Sequence, residues 1–582
     1  MYKRLLACVR EYKKPTFITF ALMVLEVGIE VAIPFITANL VNSIKANAPI
    51  EEVVTTGLIL VAMALVSLTC GGLGGFTCSK AAAGFAKNVR ADMFHKIQSY
   101  SFENIDKFSS SSLVTRMTTD IQHVQMSYMM VIRTAVRSPL MLIFAVVMAF
   151  IMGGWLAATF VVVIPVLVIG LLLVAKYAMP AFRAVFKKYD RMNESIEENV
   201  RGMRVVKGFS REEYEKKKFA KASDNIRMDF TKAERIVALN TPLMQFCMYF
   251  NMVFVLLVGS RLVIENGGTV IDVGQISAML TYGVQILMSL MMLSMIYVML
   301  TMSAESVKRI GEILSEESTL SNPENPVMAV TDGSIDFEDV RFKYSAKAQR
   351  FALDNIDLHI RSGMTVGILG GTGSSKSTLV QLIPRLYDVT EGVVRVGGVD
   401  VRNYDIKTLR DAVSMVLQKN LLFSGTIKDN LRWGNENATD EEMIEACKLA
   451  QADDFIRSFP DGYDTHIEQG GTNVSGGQKQ RLCIARALLK KPKILIQDDS
   501  TSAVDTKTDA LIRAGFKQYI PDTTKIIIAQ RVASVQDADL ILIMENGTIA
   551  AAGTHEKLLE SSEIYREVYE QQTNGGDGHD EE

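Results

Sequence analysis

The segment TVGILGGTGSSKSTLVQLI, residues 365–383, decides the fold of the second half of this chain. An apolar strand runs straight into a glycine-rich loop, and the loop opens a helix. Backbone N–H groups of such a loop bind a phosphate at the helix N-terminus, where the helix dipole favours negative charge. The segment therefore predicts a phosphate-binding loop in an α/β domain.

Individual residues of this loop have expected roles toward a bound nucleotide. Lys376 is expected to reach the β- and γ-phosphates, and the Ser377 hydroxyl to bind Mg²⁺. Ser375 breaks the pattern G-x-x-x-x-G-K-[ST], because it stands where the last glycine belongs. A serine is tolerated there if the backbone is helical, whereas a positive φ would weaken nucleotide binding. The predicted nucleotide-binding residues of the loop are Gly370, Gly371, Thr372, Gly373, Ser374, Ser375, Lys376, Ser377 and Thr378.

Composition indicates that part of the chain lies in a membrane. The chain has 582 residues, enough for two or three domains. Its residues are 48% apolar and 22% charged, with a mean hydropathy of +0.17, which is unusual for a wholly soluble protein. The net charge of -3 argues against nucleic acid as a main partner. The six scattered cysteines favour small apolar fillers over a disulfide framework.

Hydropathy predicts six membrane spans in the first half, near residues 16–43, 53–78, 127–152, 154–178, 240–263 and 275–300. Each span is long enough to cross a hydrocarbon core of roughly 30 Å. The odd-numbered connections are short and poor in Lys and Arg, whereas the even-numbered ones are long and basic. The positive-inside rule therefore predicts a multi-pass cell-membrane protein whose N-terminus, long connections and second half are cytoplasmic.

Motifs beyond the phosphate loop connect the chain to a known family. VSGGQKQR at 474–481 and ILIQDDSTSAVD at 494–505 resemble, in order and spacing, the signature, Walker B strand and D-loop of ATP-binding-cassette (ABC) ATPases. The first half resembles the ABC exporter type. FENIDKFSSSSLVTRMTTDIQHVQ, residues 102–125, resembles its first coupling helix, and NVRGMRVVKGFSREEYE, residues 199–215, resembles its second.

The fold class that this resemblance predicts is an all-α six-helix transmembrane domain followed by an α/β P-loop ABC ATPase domain. The transmembrane domain with its two coupling helices is expected over residues 1–320, and the ATPase domain over 333–570. A disordered acidic tail is expected over 571–582, because the sequence ends on GGDGHDEE.

The resemblance also implies roles for residues outside the phosphate loop. Tyr344 would stack on adenine, Gln418 would join Mg²⁺ to the membrane domain, and Asp498 would hold Mg²⁺ through water, so that the expected metal residues are Ser377, Gln418 and Asp498. Ser502 and Asp505 would belong to the D-loop. The signature of a second chain would complete the site around the ATP that one chain binds, so a partner half is expected. The signature residues with this role are Ser475, Gly476, Gly477 and Gln478.

Two residues depart from the pattern of active family members. Asp499 stands where those members have the glutamate that acts as general base, and Gln530 stands where they have the switch histidine. A carboxylate pulled back by roughly 1 Å can cost about 100-fold in rate, and Gln carries no charge. With the intact signature, these changes predict the degenerate-site subunit of a heterodimeric multidrug exporter. The open alternatives are a self-sufficient homodimeric exporter, an ATP-binding regulatory or gated membrane protein, and an importer with the exporter fold. Gln497, in the Walker B strand, has no functional account.

Charged and methionine side chains in the spans are candidates for substrate contact. Glu26 and Glu30 lie one turn apart on the first span, and Arg133 and Arg137 on the third. Intramembrane charges are functional candidates by default, so the acids would suit cationic drugs. The alternative is that they neutralise the arginines within the bundle. The expected substrate is an apolar or amphipathic small molecule, lipid or peptide, for which methionines offer an adaptable surface. The alternative is that the methionines only pack the helices together. They are Met244, Met248, Met252, Met288, Met291, Met292, Met295, Met299 and Met302.

Overall fold

The structure is a computed structural model and describes residues 2–345, 348–499 and 504–574. Contacts divide the chain into two compact units. We name the first, Met1–Gln98 with Ser109–Glu316, the helical unit. We name the second, Ser99–Phe108 with Glu317–Glu582, the α/β unit.

Long helices dominate the chain up to residue 315. In chain order they are α1 (Tyr2–Ala7), α2 (Lys13–Lys45), α3 (Ile50–Gln98), α4 (Phe102–Phe108), α5 (Ser110–Thr115), α6 (Ile121–Gly153), α7 (Ala158–Arg201), α8 (Met203–Gly208), α9 (Glu212–Val237), α10 (Asn240–Glu265) and α11 (Val273–Ser315). The six predicted spans fall within α2, α3, α6, α7, α10 and α11.

Among the described residues, five continuous helical stretches are long and apolar enough to cross a membrane. The stretch Ser110–Phe182 holds two of the predicted spans, 127–152 and 154–178. The second of these begins with the 3₁₀ turn Gly154–Ala157, which starts on a glycine with a φ of +52° and separates α6 from α7. A backbone conformation of this kind suits glycine. The six predicted spans and the five stretches therefore describe the same helices.

The helical unit has an apolar interior and an apolar exterior. Phe160, Tyr282 and Ile286 are fully buried where α2, α6, α7, α10 and α11 pack together. The Tyr282 hydroxyl donates to the Val31 carbonyl at 2.8 Å, so its polar atom is satisfied. Outward-facing residues such as Leu68 are also large and apolar. Such an exterior is expected of helices surrounded by lipid.

The α/β unit is built on three sheets. Its strands are β1 (Ile335–Phe342), β2 (Leu353–Ile360), β3 (Thr365–Gly370), β4 (Glu391–Val396), β5 (Val399–Asp400), β6 (Val413–Val416), β7 (Gly425–Thr426), β8 (His466–Ile467), β9 (Ile494–Asp498), β10 (Thr524–Ile528), β11 (Leu540–Glu545) and β12 (Thr548–Gly553). Within the described residues the main sheet has the order β12-β11-β3-β10-β9-β6. Its strands are parallel except for β12. The second sheet has the order β2-β1-β4-β5, and β7 pairs with β8.

Helices connect and cover these strands. They are α12 (Lys376–Gln381), α13 (Ile406–Ala412), α14 (Ile427–Arg432), α15 (Asp440–Leu449), α16 (Asp453–Ser458), α17 (Gly476–Leu489), α18 (Thr506–Tyr519), α19 (His555–Ser561) and α20 (Glu563–Asn574). β9 and β10 are fully buried runs, as expected of central parallel strands. β3 leads into α12 and β9 ends on Asp498, so the phosphate loop and the Walker B acid lie at the same carboxyl edge of the sheet.

Two predicted boundaries differ from the structure. Residues 99–108, expected in the transmembrane domain, belong to the α/β unit because Asn104 Nδ2 donates to the Glu317 carbonyl at 3.1 Å and the Ser101 hydroxyl meets that of Thr319 at 2.7 Å. Residues 571–574, expected in the disordered tail, form the last turn of α20. The rest of the predicted tail, 575–582, lies outside the described residues.

Candidate nucleotide site

The phosphate loop joins the end of β3 to the start of α12. The Lys376 ammonium donates to the carbonyls of Gly370 and Gly371, at 2.8 Å each, and lies 3.3 Å from the Ser374 hydroxyl. Gly373 has a φ of +84°, and no atom lies within 4 Å of where its Cβ would be. Burial lowers the pKa of Lys376, while Asp498 and Asp499 oppose that change. The loop thus presents an open backbone surface beside a lysine.

Ser375 adopts the conformation that the sequence argument named as unfavourable. It has φ +70° and ψ 24°, which is the left-handed region, and it immediately precedes α12. For a residue with a Cβ this conformation costs roughly 1–2 kcal/mol. Glycine, which has no Cβ, adopts this conformation without strain, whereas Ser375 adopts it at a cost in free energy.

Two of the three predicted metal residues, Ser377 and Asp498, come together at the carboxyl edge of β9. The Ser377 hydroxyl donates to Asp498 Oδ1 at 3.0 Å. Burial raises the pKa of Asp498, and Asp499 raises it further, while Ser377 and Lys376 oppose the change. A hydroxyl and a carboxylate are the oxygen ligands that Mg²⁺ prefers, so this donor set fits the ion. When bound beside a nucleotide, Mg²⁺ neutralises phosphate charge.

Tyr344, the residue expected to stack on adenine, has a partly exposed ring. Its ring is 44% exposed, and its hydroxyl lies 2.9 Å from that of Thr378 on α12. The Tyr387 ring meets it edge-on, with centroids 5.2 Å apart. These contacts hold the Tyr344 ring in place, and because the ring is partly exposed, one of its faces can stack on a base.

The Tyr387 side chain also reaches the predicted first coupling helix, α4. Its hydroxyl donates to Asp106 Oδ2 at 2.8 Å, and its ring lies 6.1 Å from that of Phe102. Burial, together with Asp106, raises the pKa of Tyr387, so the hydroxyl keeps its proton. Tyr344, Tyr387 and Asp106 thus form one chain of contacts within the α/β unit.

The two altered residues bond to each other. Gln530 Nε2 donates to Asp499 Oδ2 at 2.9 Å. Gln418 Nε2 lies 3.4 Å from the same oxygen. Asp499 is buried and has a φ of +49°, and its amide donates to the Ile528 carbonyl at 3.0 Å. The structure therefore brings three predicted site residues together around one carboxylate oxygen.

The signature residues lie at the N-terminus of helix α17, where their side chains cap the helix. The Ser475 hydroxyl accepts from the Gln478 amide at 3.3 Å, and the Gln478 side chain accepts from the Ser475 amide at 2.8 Å. This capping box opens the 14-residue helix α17. Ser475 and Gly476 are exposed. Since the first N–H groups of a helix have no partner within it, the exposed start of α17 suits an anion.

Sequence reasoning missed two glutamines that contact this site. Gln480 is buried on α17, and its Nε2 lies 3.4 Å from the Asp499 carbonyl. Gln572 on α20 bonds to the backbone on both sides of Arg531, next to Gln530. Pattern matching could not find them, because a glutamine that contacts backbone has no sequence signature.

Three further candidates have different outcomes. Asp505 is the N-cap of α18, where it accepts from the Thr508 amide at 2.9 Å. Ser502 lies outside the described residues. Gln497 is buried, and its Nε2 has no partner within the part of the chain that the structure describes; nothing in the structure explains this residue.

Three of the charged residues named in the spans, Glu26, Glu30 and Arg137, lie together. Arg137 Nη2 lies 2.8 and 2.7 Å from the two Glu30 carboxylate oxygens. Arg137 Nε is 3.7 Å from Glu26 Oε1. Of the two hypotheses for these acids, the contacts favour neutralisation of an arginine within the bundle. Cation recognition by a free carboxylate pair is not supported, because both acids share Arg137.

Both the helical unit and the α/β unit match known protein families. The family model for the ABC transporter transmembrane region matches residues 16–300, and that for the ABC transporter matches residues 353–502. The chain is 35% identical over 570 residues to the uncharacterized ABC transporter ATP-binding protein YfiB of Bacillus subtilis, covering 98% of each chain. It is 32% identical to the fatty acid ABC transporter ATP-binding/permease protein of Mycobacterium bovis, covering 82% of this chain and 75% of that protein.

A solved structure shares the overall fold. The ATP-bound structure of a bacterial Atm1-family ABC exporter matches with a TM-score of 0.83, covering 97% of this chain and 98% of that chain, at 22% identity. The chain thus belongs to the ABC transporter family. It is a multi-pass membrane protein with the exporter fold, a helical transmembrane domain followed by an α/β ABC ATPase domain. Binding of ATP and transport coupled to its hydrolysis follow from that membership.

Proposed function

We propose that this chain is one half of a heterodimeric ABC exporter and supplies its degenerate ATP site. The observation that carries the proposal is the 2.9 Å hydrogen bond from Gln530 to Asp499. A general base must offer an oxygen to the attacking water. Here Asp499 Oδ2 accepts from the Gln530 side chain, and an amide, unlike the histidine of active family members, cannot gain or lose a proton.

The binding parts of the site are retained, which separates holding ATP from cleaving it. Lys376, Ser377 and Asp498 keep the residue types that bind phosphate and Mg²⁺, and Tyr344 keeps an exposed ring for adenine. A site that binds ATP without cleaving it is expected to keep its binding residues and to lose its catalytic ones, and this site shows that pattern of residues. Hydrolysis is assigned to the partner's nucleotide, which the signature of this chain completes.

A partner half is also supported by surfaces that this chain leaves exposed. Val205 on α8 and the adjacent Phe209 are 61% and 76% exposed, on the segment that resembles the second coupling helix. Exposed apolar side chains of this size are expected to be covered in an assembly. We place the N-terminus, both long connections and the ATPase domain in the cytoplasm, because those connections carry the Lys and Arg excess.

The proposed substrate is an apolar or amphipathic compound that leaves the cytoplasm or the inner leaflet. A cavity of about 270 Å³ in the helical unit has an apolar lining, made by Gly28, Val31, Ala32, Phe35, Phe144, Val147 and Met148. Met288, Met292 and Met295 expose flexible side chains on α11. The name of the Mycobacterium bovis relative, a fatty acid transporter, is consistent with an amphipathic substrate.

Co-expression tests the proposal. The tagged chain produced with a second ABC half that has Glu and His at the positions of Asp499 and Gln530 should be recovered as a stable 1:1 complex. This complex should hydrolyse ATP much faster than the chain alone, because the chain alone has only altered sites. Robust hydrolysis by a homodimer would establish a self-sufficient exporter. A complex that binds ATP without turnover would establish a regulatory role.

A further inference from the structure

The C-terminal helix α20 reaches the loop that carries Gln530. We name residues 529–532 the switch loop. The Val532 amide donates to Gln572 Oε1 at 2.8 Å, and Gln572 Nε2 donates to the Gln530 carbonyl at 2.9 Å. One side-chain amide thus pairs with two backbone groups two residues apart, as a neighbouring strand would. The two bonds also determine which end of the amide is oxygen and which is nitrogen.

The two backbone groups lie where the regular structure of the loop stops. β10 ends at Ile528, and Val532 begins a 3₁₀ turn that has no side-chain cap from Arg531. The first N–H of such a turn has no partner within the turn. The Ala529 amide still bonds to the sheet, through the Ile368 carbonyl at 3.2 Å. Gln572 supplies partners for the Gln530 carbonyl and the Val532 amide, and so it ties the far end of the loop to α20.

Helix α20 is itself held firmly against the α/β unit. Tyr565 is 1% exposed, and its hydroxyl lies 2.6 Å from His555 Nδ1. Tyr565, Val568 and Tyr569 pack on the same apolar cluster as Val532. Gln572 follows Tyr565, Val568 and Tyr569 at helical spacing, so it lies on the same face. A side chain on an anchored helix can fix the position of a loop.

We infer that Gln572 is a positioning residue, which holds the switch loop so that the Gln530 side chain reaches Asp499 and the nucleotide γ-phosphate. This inference rests on the proposed function in one respect, namely that Gln530 faces the γ-phosphate of retained ATP. Loss of the two backbone bonds lets the loop and Gln530 withdraw, and ATP is released faster from this chain.

The adjacent residue provides a matched control. Gln571 and Gln572 are both exposed, but within the described residues only the Gln572 side chain makes hydrogen bonds. Gln571→Ala removes the same side chain one position away and should leave nucleotide retention unchanged. Gln572→Ala removes both backbone bonds. Gln572→Glu keeps an acceptor for Val532 but places a carboxylate oxygen against the Gln530 carbonyl, where a donor is required.

Retention is measured on the complex with its partner half, with a photoreactive, non-hydrolysable ATP analogue. After a chase with unlabelled ATP and crosslinking, the two chains are separated on a gel, so label on this chain is counted by itself. Gln572→Ala should release the analogue roughly three- to tenfold faster, the factor expected for loss of ordinary hydrogen bonds. Gln572→Glu should be at least as fast, while label on the partner chain and the thermal unfolding midpoint stay unchanged.

Three outcomes overturn the inference. They are equal release from the Gln571→Ala and Gln572→Ala variants, wild-type retention in Gln572→Glu, and faster release only in proportion to a lower unfolding midpoint. Failure of the proposed function is visible separately, because Asp499→Asn would then abolish turnover. In that case Gln572→Ala should lower kcat at unchanged KM for ATP, and Gln571→Ala should still have no effect.

Discussion

One ATPase domain contributes two faces to nucleotide binding, and in this chain they differ in how far they keep the ABC pattern. On the signature face, Ser475 and Gln478 form a complete capping box at an exposed helix start. On the Walker face, Ser375 is strained, and Asp499 accepts from Gln530. The difference is confined to a few atoms. Apart from Ser375, the residues expected to bind ATP or to complete a partner's ATP keep the family pattern, whereas Asp499 and Gln530, at the positions expected to activate water, depart from it.

Under the proposed function, binding and cleavage of ATP are separate properties of one site. Phosphate binding depends on backbone N–H groups, a lysine and a metal, whereas cleavage depends on the placement of one carboxylate. A subunit can therefore keep ATP as a structural ligand while its signature serves hydrolysis elsewhere.

The largest effect is expected on the signature face. Ser475→Arg should lower the steady-state ATPase rate of the heterodimer by about 100-fold, because it blocks an anion site and removes a donor during charge development. Glu441→Arg, on the exposed start of α15, adds the same side chain away from the signature and should have little effect. Normal turnover by the Ser475→Arg complex would remove the signature from catalysis and break the comparison.

An intermediate effect is expected at the adenine end of the Walker face. Tyr387→Phe removes the 2.8 Å bond to Asp106 while keeping the ring against Tyr344. If the ATP bound here acts on the coupling helix through this bond, transport per ATP hydrolysed should fall by about tenfold, the low end expected for loss of a hydrogen bond to a charged group. ATP affinity should stay unchanged. A parallel loss of ATP binding would mean that Tyr387 only supports Tyr344.

A smaller effect is expected in the phosphate loop. Ser375→Gly relieves the strain of a φ of +70°, so ATP should bind this chain up to about fivefold more tightly, and not more weakly. Ser374→Gly is the matched control, because it removes a hydroxyl beside Lys376 without relieving a positive φ. Equilibrium binding to the two variants measures the difference. Weaker binding by Ser375→Gly would show that the serine hydroxyl, rather than the backbone, matters.

Much of the fold could be predicted from the sequence because it depends on local patterns. The long apolar runs predict α2 and α3, and the segment around Lys376 predicts β3, the loop and α12. The φ of Ser375 could not be predicted, since a serine is compatible with either conformation until the packing around it is known. Only the structure shows that its φ is positive.

Contacts between distant segments were the part that patterns could not supply. Glu30 and Arg137 are 107 residues apart, and a hydropathy profile does not pair them. Gln572 meets the switch loop 40 residues away through backbone atoms, which leave no trace in the identity of the loop residues. Asn104 binds the Glu317 carbonyl, which places α4 in the α/β unit rather than with its sequence neighbours.

The most direct test of the central claim is the effect of Asp499→Asn on phosphate release by the heterodimer, measured in steady state and in a single turnover beside Ser475→Arg. The account predicts a loss of no more than about threefold for Asp499→Asn, because little chemistry passes through a carboxylate that already accepts from an amide. Ser475→Arg should nearly abolish the single-turnover phase. If Asp499→Asn is as damaging as Ser475→Arg, the site of this chain is itself catalytic, and the two faces do not have the separate roles assigned to them.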